Sequence, residues 1–191
     1  RAILLWLVVW GASTALLRPL SGEHFAEAIE RAGNYGAPLV LLILSGFGRK
    51  KISVWFSRVN PDTLVNEKTL AVATTCLRIV VFLLFIGHGW LNLVEKKGLL
   101  SQYASLGFNN PVQVAHMAGL FEILGALSVL IRPMRPILFT LFIWKMGTEL
   151  FYPHWEAFEW IERGGSYGAI LALWFILPQT SFRTQKTSLT T

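Results

Sequence analysis

The stretch LAVATTCLRIVVFLLFIGHGWLNLV, residues 70–94, decides the class of this protein. Its only charged side chain is Arg78, and its polar residues His88 and Asn92 lie close to its end. A membrane-spanning helix needs about 20 mainly apolar residues. The stretch therefore predicts a transmembrane helix that carries a few polar groups near one side of the bilayer.

Five further apolar blocks accompany this stretch. The chain of 191 residues is 53% hydrophobic and 15% charged, with a mean hydropathy of +0.51, whereas soluble domains carry about 25% charged residues. So many apolar blocks leave too little polar surface to enclose them in water. We predict an all-α integral membrane protein, a polytopic bundle of six transmembrane helices. The six blocks are residues 2–17, 35–48, 70–94, 112–131, 136–152 and 167–178.

The distribution of basic residues between the predicted helices predicts their orientation. Of the 17 Lys and Arg residues, ten fall on the side of the loop between the second and third helices, five fall on the other side, and two lie within helices. Cytoplasmic loops carry the excess of Lys and Arg, so both ends of this chain are expected in the cytoplasm. We expect the bacterial inner membrane as the location and no nucleic acid as a partner, because the inner loops are too short for a basic patch.

A nine-residue phrase occurs twice, as IERAGNYGA (29–37) and IERGGSYGA (161–169). The similarity extends, since residues 27–44 match residues 159–176 at ten of eighteen positions. We interpret the phrase as a structural corner at the outer surface. There Tyr–Gly opens a helix, and the Glu–Arg pair caps the start of that helix or bridges to the neighbouring one. The alternative is a functional opening at the surface that both copies provide. The corner residues are Glu30, Arg31, Tyr35, Glu162, Arg163 and Tyr167.

The repeat predicts the domain organisation. Four predicted helices separate the two copies, so the copies run in the same direction across the membrane. Residues 1–48 would be the second half of an N-terminal repeat, 49–69 a basic cytoplasmic linker, 70–178 a complete four-helix unit and 179–191 a polar tail. By repeat logic, the complete polypeptide would start about 65–70 residues upstream and contain eight spans.

Five polar residues within the predicted spans form a candidate ligand or proton pocket. Ionisable groups inside a membrane are costly and point to function. In a single bundle all five would converge in the outer half of the bilayer, where they could hold a carbonyl-bearing ligand or satisfy one another as interhelical pairs. Lys145 and Glu149 align with Gly11 and Ala15 of the other copy, which favours a specialised site. The five residues are His88, Asn92, Glu122, Lys145 and Glu149.

No motif for a resident cofactor is present in the sequence. Cys76 is the single cysteine and the four histidines lack metal-ligand spacing, so we expect no metal site. His88 with His116 does not form a haem motif, and haem is not expected. No self-contained catalytic motif occurs, which leaves open whether the chain is an enzyme.

Residues 70–178 resemble the DoxX family of small four-helix bacterial membrane proteins. The resemblance rests on LRIVVFLLFIGHGWLNL (77–93), YASLGFNNP (103–111) in a loop, and AHMAGLFEILGALSVLIRPMRP (115–136). Arg78, His88-Gly89, Gly107 and Glu122 match the family pattern, whereas Asn92 stands where the family commonly has Lys. The resemblance implies a redox-associated role in the membrane. Because the cysteine pairs of some members are missing here, it implies quinone contact rather than thiol–disulfide exchange. At most, the resemblance implies a subunit of a quinone-linked oxidoreductase.

These observations lead to three hypotheses. The first is a redox-associated membrane protein whose polar pocket contacts a quinone and which acts with a redox partner. The alternative is an accessory subunit of a larger respiratory or photosynthetic complex, held by other membrane subunits and without its own ligand. The third is a small-molecule transporter, since parallel repeats and intramembrane charges also suit a carrier.

Overall fold

The computed structural model describes residues 1–46, 52–59, 64–152 and 157–178, and in these ranges the chain is helical without strands. The predicted tail at 179–191 and part of the predicted linker lie outside them. A short 3-10 helix, Ile52–Phe56, separates the first three α-helices from the rest. In order, the α-helices are α1 (Ala2–Leu20), α2 (Ala26–Glu30), α3 (Ala32–Leu44), α4 (Glu67–Leu93), α5 (Lys97–Ser105), α6 (Pro111–Ile131), α7 (Arg135–Leu150), α8 (Ala157–Glu162) and α9 (Gly164–Ile176).

Three of these helices are long and apolar enough to cross a membrane, namely α1, α4 and α6. Helices α3, α7 and α9 have 13, 16 and 13 residues, short of the roughly 17 residues at the lower limit for a span. The helical class is therefore as predicted, while the count of six spanning helices stays a prediction.

The predicted loops contain three helices that the sequence analysis did not anticipate, α2, α5 and α8. The loop assigned to 103–111 is wrong at its start, because α5 continues to Ser105. Leu99, Gln102 and Tyr103 are buried and lie three and four positions apart, so they form one buried face of a short helix. This face was missed because a single turn of pattern is too short to detect.

The helix that follows each corner begins earlier than predicted. Helices α3 and α9 start at Ala32 and Gly164, three residues before Tyr35 and Tyr167. The prediction that Tyr–Gly opens each helix is therefore wrong; Tyr–Gly lies inside the first turns. Small residues at the true starts allow tight turns from α2 and α8 into these helices.

Asparagine caps fix the starts of the two longest helices. Asn66 accepts a hydrogen bond from the Thr69 backbone N–H over 2.8 Å at the start of α4. Asn110 accepts one from the Gln113 N–H over 3.2 Å at the start of α6. A side-chain oxygen at this position satisfies a backbone donor that the helix leaves unpaired. The caps thereby set where both helices begin.

Helix α4 is the central element, packed against α2, α3, α6 and α9. Its residues Leu77, Val81, Leu84 and Phe85 are fully buried and belong to the main apolar core. The same faces of the helix continue to His88 and Asn92 one turn further on. The core thus leads directly to the polar residues identified in the sequence.

The two copies of the repeated phrase meet in the structure. Helices α3 and α9 begin and end 132 positions apart, the same offset as the phrase itself. They touch at equivalent glycines: a Cβ on Gly33 would lie 2.5 Å from Ser166 Oγ, and one on Gly165 would lie 2.9 Å from the Gly33 carbonyl. Contact between equivalent positions indicates an approximate two-fold relation between α2–α3 and α8–α9.

Candidate functional site

The five residues of the predicted pocket are all buried and lie in one connected group. Their exposed fractions are 4% or less. Two residues of the predicted corner, Glu30 and Arg163, join them through ion pairs. We call these seven residues the buried polar cluster: Glu30, His88, Asn92, Glu122, Lys145, Glu149 and Arg163.

Glu122 is the centre of the first half of the cluster. Its carboxylate lies 2.7 and 2.8 Å from His88 Nδ1. Asn92 Nδ2 donates to it over 3.1 Å and Trp144 Nε1 over 2.8 Å. Three side chains on two other helices therefore hold one fully buried carboxylate, which satisfies the requirement that buried charges be hydrogen-bonded.

Tyr103 extends this half of the cluster to α5. Its hydroxyl donates to Asn92 Oδ1 over 2.8 Å. Burial, followed by the nearby negative charge of Glu122, raises the pKa of Tyr103. The phenol consequently stays protonated and orients the Asn92 amide so that its NH₂ group points to Glu122.

Close approach of α4 and α6 through glycines brings His88 and Glu122 together. A Cβ on Gly89 would lie 2.8 Å from the Gly119 carbonyl oxygen, and a Cβ on Gly119 would lie 2.8 Å from the Gly89 carbonyl oxygen. Small residues at membrane helix interfaces allow such approach. The glycine beside the histidine therefore has a packing role that places the imidazole against the carboxylate.

Lys145 and Glu149 form the second half, as an ion pair one turn apart on α7. Two residues from the corners complete it. Glu30 lies 3.8 Å from Lys145 Nζ and 3.4 Å from Arg163 Nη1, and Arg163 lies 2.5 Å from Glu149. Two carboxylates and two cations thus alternate between helices from both copies of the repeat.

His88 connects the two halves. One of its ring nitrogens lies within 4.8 Å of carboxylate oxygens of Glu30 and Glu149, which also lie within that distance of each other. Such a set could offer three ligands to a metal ion, but Lys145 and Arg163 already neutralise both carboxylates and would repel a cation. The contact is better suited to moving a proton along the imidazole.

The formal charge of the cluster follows from counting its carboxylates and cations. With the three carboxylates, Lys145 and Arg163 ionised and His88 neutral, the net charge is −1; adding one proton makes it zero. A net charge is strongly disfavoured in a buried site.

Further charged residues lie at the edge of the cluster. Lys96 lies 2.5 Å from Glu27 and over the ring of Tyr152, with Arg163 facing the same ring at 5.2 Å. Burial would raise the pKa of Glu30, but Lys145, His88, Arg163 and Lys96 more than offset this and lower it to about 2. Burial would lower the pKa of Lys96, but Glu30 and Glu27 raise it above its ordinary value.

The open space inside the cluster is small. A cavity of about 10 Å³ is bordered by Glu30, Lys145, Glu149 and Arg163, together with Asn34 and Ser166 at the contact between α3 and α9. This is the smallest volume that holds one water molecule. Any larger ligand would have to bind at the edge of the cluster or displace a side chain.

Sequence reasoning placed the corner and the pocket in separate groups, and the structure joins them at Glu30 and Arg163. Trp144 and Tyr103 were also absent from the candidate residues. Tyr103 lay in the presumed loop 103–111. The position of Glu30 within the repeated corner was the signal available for it, since its carboxylate needs a buried partner once α2 packs on α4.

The DoxX family model matches residues 73–152. This part of the chain is similar to DoxX proteins. The match runs from α4 to just after α7 and includes the five predicted pocket residues, whereas Glu30 and Arg163 lie outside it. Together with its apolar helices, this makes the chain an integral membrane protein. No curated protein and no solved structure matches the chain.

Proposed function

We propose that this DoxX-like protein is a redox-associated membrane protein whose buried polar cluster exchanges protons with a quinone-like ligand. The observation that carries the proposal is the position of His88, which lies 2.7 Å from Glu122 on one side and within 4.8 Å of Glu30 and Glu149 on the other. Reduction of a quinone consumes two electrons and two protons. The electrons would come from a separate redox partner, and the two protons would come from the aqueous side and pass one at a time through the cluster to the carbonyl oxygens.

The aromatic pair Trp144–Phe121 supports an approach from the lipid side. Trp144 donates to the fully buried Glu122, and its ring packs against Phe121 with 4.9 Å between centroids. Phe121 is 38% exposed, so contacts lead from Glu122 to the outside of the bundle through two aromatic rings. A flat, apolar carbonyl compound would pack on these rings, and its oxygen could replace the indole N–H at Glu122.

Lys145 and Arg163 are suited to stabilising negative charge that develops on such a ligand. Both are held by carboxylates that cannot move away, since Glu30 and Glu149 belong to α2 and α7 in the packed bundle. Fixed charges of this kind need little reorganisation during a reaction. Negative charge on a bound ligand would therefore be stabilised with little rearrangement of the cluster.

Purified protein tests the proposal directly. We expect quinone to co-extract with the protein, and Glu122→Gln and Lys145→Met to weaken the binding of a short-chain quinone at least about tenfold, the effect of losing one charged hydrogen bond. Glu95→Gln is the matched control, because Glu95 is an exposed carboxylate paired with His116 at 3.2 Å. Infrared difference spectra on binding should contain a carboxyl signal that Glu122→Gln removes.

Two results would end the proposal. One is native protein that neither contains nor binds quinone. The other is unchanged quinone binding in Glu122→Gln and Lys145→Met variants that are folded by circular dichroism. Equal weakening in Glu95→Gln would point to a general loss of stability instead of a site.

An accessory role without a ligand is the second candidate, and the tight closure of the cluster favours it. Glu30, Glu149, Lys145 and Arg163 pair with one another, and the cavity holds about one water. Under this hypothesis the cluster fastens α2, α4, α7 and α9 together. Purification in mild detergent would then yield stoichiometric partner subunits, and their activity would be unchanged by Glu122→Gln.

A further inference from the structure

One face of α8 and α9 is uncovered by the residues that the structure describes. Phe158 is 90% exposed and Ile161 65% exposed, and Glu162 is exposed as well. A Cβ added at Gly164 or Gly168 would meet nothing within 4 Å. We call this surface, formed by Phe158, Ile161, Glu162, Gly164 and Gly168, the α8–α9 face.

The equivalent surface of the other copy is covered by α4. At Gly36, the equivalent of Gly168, an added Cβ would collide with the Val80 side chain of α4. Ala26 and Glu30, the equivalents of Phe158 and Glu162, are 0% and 8% exposed. The same backbone elements are thus buried in one copy and bare in the other.

The approximate two-fold relation predicts where a covering helix would lie. Since α3 and α9 meet at Gly33 and Gly165, rotating α4 about this contact places a helix against α8 and α9. The rotated helix would bury Gly168 as α4 buries Gly36. It would also approach the backbone of Glu162, as Gly87 of α4 approaches that of Glu30.

One ion pair joins the two copies of the repeat, but the pair at the equivalent positions is not formed. Arg163 lies 3.4 Å from Glu30 across the contact between the copies. The equivalent residues are Arg31 and Glu162, yet the buried Nε of Arg31 has no hydrogen-bond partner in the described part of the chain, and Glu162 is exposed. A helix laid over Glu162 would remove it from solvent and favour its pairing with Arg31.

We propose that the α8–α9 face binds a helix pair equivalent to α4 and α6, carried by the same polypeptide ahead of residue 1. The order of the repeat indicates where this helix pair would come from. In the sequence α7–α9 follows α4–α6, so α1–α3, the copy of α7–α9, would follow a copy of α4–α6. A second copy is a poor occupant because its own α4 is engaged with its own α2 and α3. The occupant would be an apolar helix that packs a branched side chain on Gly168 and a glycine on the backbone of Glu162. This inference does not depend on quinone binding.

Photocrosslinking in the native membrane tests the proposal. The full-length protein carries p-benzoylphenylalanine in place of Phe158 or, as a control, in place of Met117, which is 67% exposed on α6. We expect position 158 to crosslink to a peptide from ahead of residue 1, and position 117 to give lipid adducts only. Gly168→Phe should abolish the protein crosslink, whereas Leu124→Phe, at an exposed site on α6, should retain it.

The remaining outcomes overturn the proposal. Lipid adducts alone at position 158 would mean that the α8–α9 face contacts the bilayer. A crosslink to residues 1–191 of the same or a second copy, or to an unrelated subunit, would assign the face to a different occupant. A crosslink that survives Gly168→Phe would place the contact elsewhere on α8.

Discussion

Replacing Gly87 with alanine should disturb the buried polar cluster although residue 87 carries no functional group. Gly87 lies on α4 where α2 crosses it. A Cβ at this position would lie 2.5 Å from the Glu30 backbone nitrogen, 2.9 Å from its Cα and 3.0 Å from the Ile29 carbonyl carbon. All three atoms belong to the backbone, so no side-chain rotation relieves the collision, and α2 has to move away from α4.

The size of the effect follows from these distances. Ordinary contact for a Cβ begins near 3.4 Å, which requires α2 to retreat by about 1 Å, and overpacking of this kind costs about 1–3 kcal/mol. The same movement would increase the separations of Glu30 from Arg163, now 3.4 Å, and from Lys145, now 3.8 Å. The stability loss and the weakening of the cluster therefore have one cause.

Steric trapping in bicelles measures the free energy of unfolding, and Gly147→Ala is the matched control. Gly147 lies on α7 between Lys145 and Glu149, and a Cβ there would meet nothing within 4 Å. We expect Gly147→Ala to be neutral or stabilising by up to about 1 kcal/mol. We also expect Lys145→Met to be less harmful in the Gly87→Ala background than alone, because coupled residues are not additive. A Gly87→Ala variant within about 0.5 kcal/mol of the wild type would refute the reasoning.

Three further predictions concern the cluster itself. Lys145→Met should destabilise the protein by about 3–5 kcal/mol because the buried carboxylates Glu30 and Glu149 lose one of the two cations with which they pair, and adding Glu149→Leu should restore part of the loss in a double-mutant cycle. Because the pKa of Glu30 is lowered from 4.5 to about 2, its stabilising contribution is complete above about pH 4.5 and is lost as the pH falls toward 2; thermal unfolding in detergent should be less sensitive to acid in Glu30→Gln. Tyr103→Phe should cost about 0.5–1.5 kcal/mol, the contribution of its hydrogen bond to Asn92, and a change below 0.3 kcal/mol would contradict that assignment.

The long apolar helices could be predicted from the sequence because their signal extends over 20 residues or more. The stretch 70–94 became most of α4, and 112–131 nearly coincides with α6. Helices α2, α5 and α8 have 5, 9 and 6 residues. Each has only one or two turns in which a hydrophobic pattern could be seen, and these helices are stabilised by tertiary packing that the local sequence does not reveal. The same limit hid the true starts of α3 and α9, which depend on how the corner folds.

The intramembrane charges could be predicted as a group because each is expensive alone. Which of them touch could not be predicted, since sequence spacing gives only the i, i+4 relation of Lys145 with Glu149. The His88–Glu122 contact depends on the approach of α4 to α6 at Gly89 and Gly119, a distance that no spacing encodes. Glu30 enters the site from a segment more than fifty residues away, through the packing of α2 on α4.

The repeated corner first suggested architecture, on the ground that both copies share it whereas Lys145 and Glu149 occur in only one. The geometry changes that argument. Glu30 of one corner and Arg163 of the other both pair with the α7 residues, so the shared phrase supplies part of the site, and Lys145 and Glu149 make it asymmetric. With Gly11 and Ala15 at the equivalent positions, the symmetric site cannot assemble beside Glu162 and Arg31. A duplicated scaffold with one charged site is therefore the expected arrangement, and introducing Lys and Glu at positions 11 and 15 should not by itself create a second site unless a covering helix supplies the equivalents of His88 and Glu122.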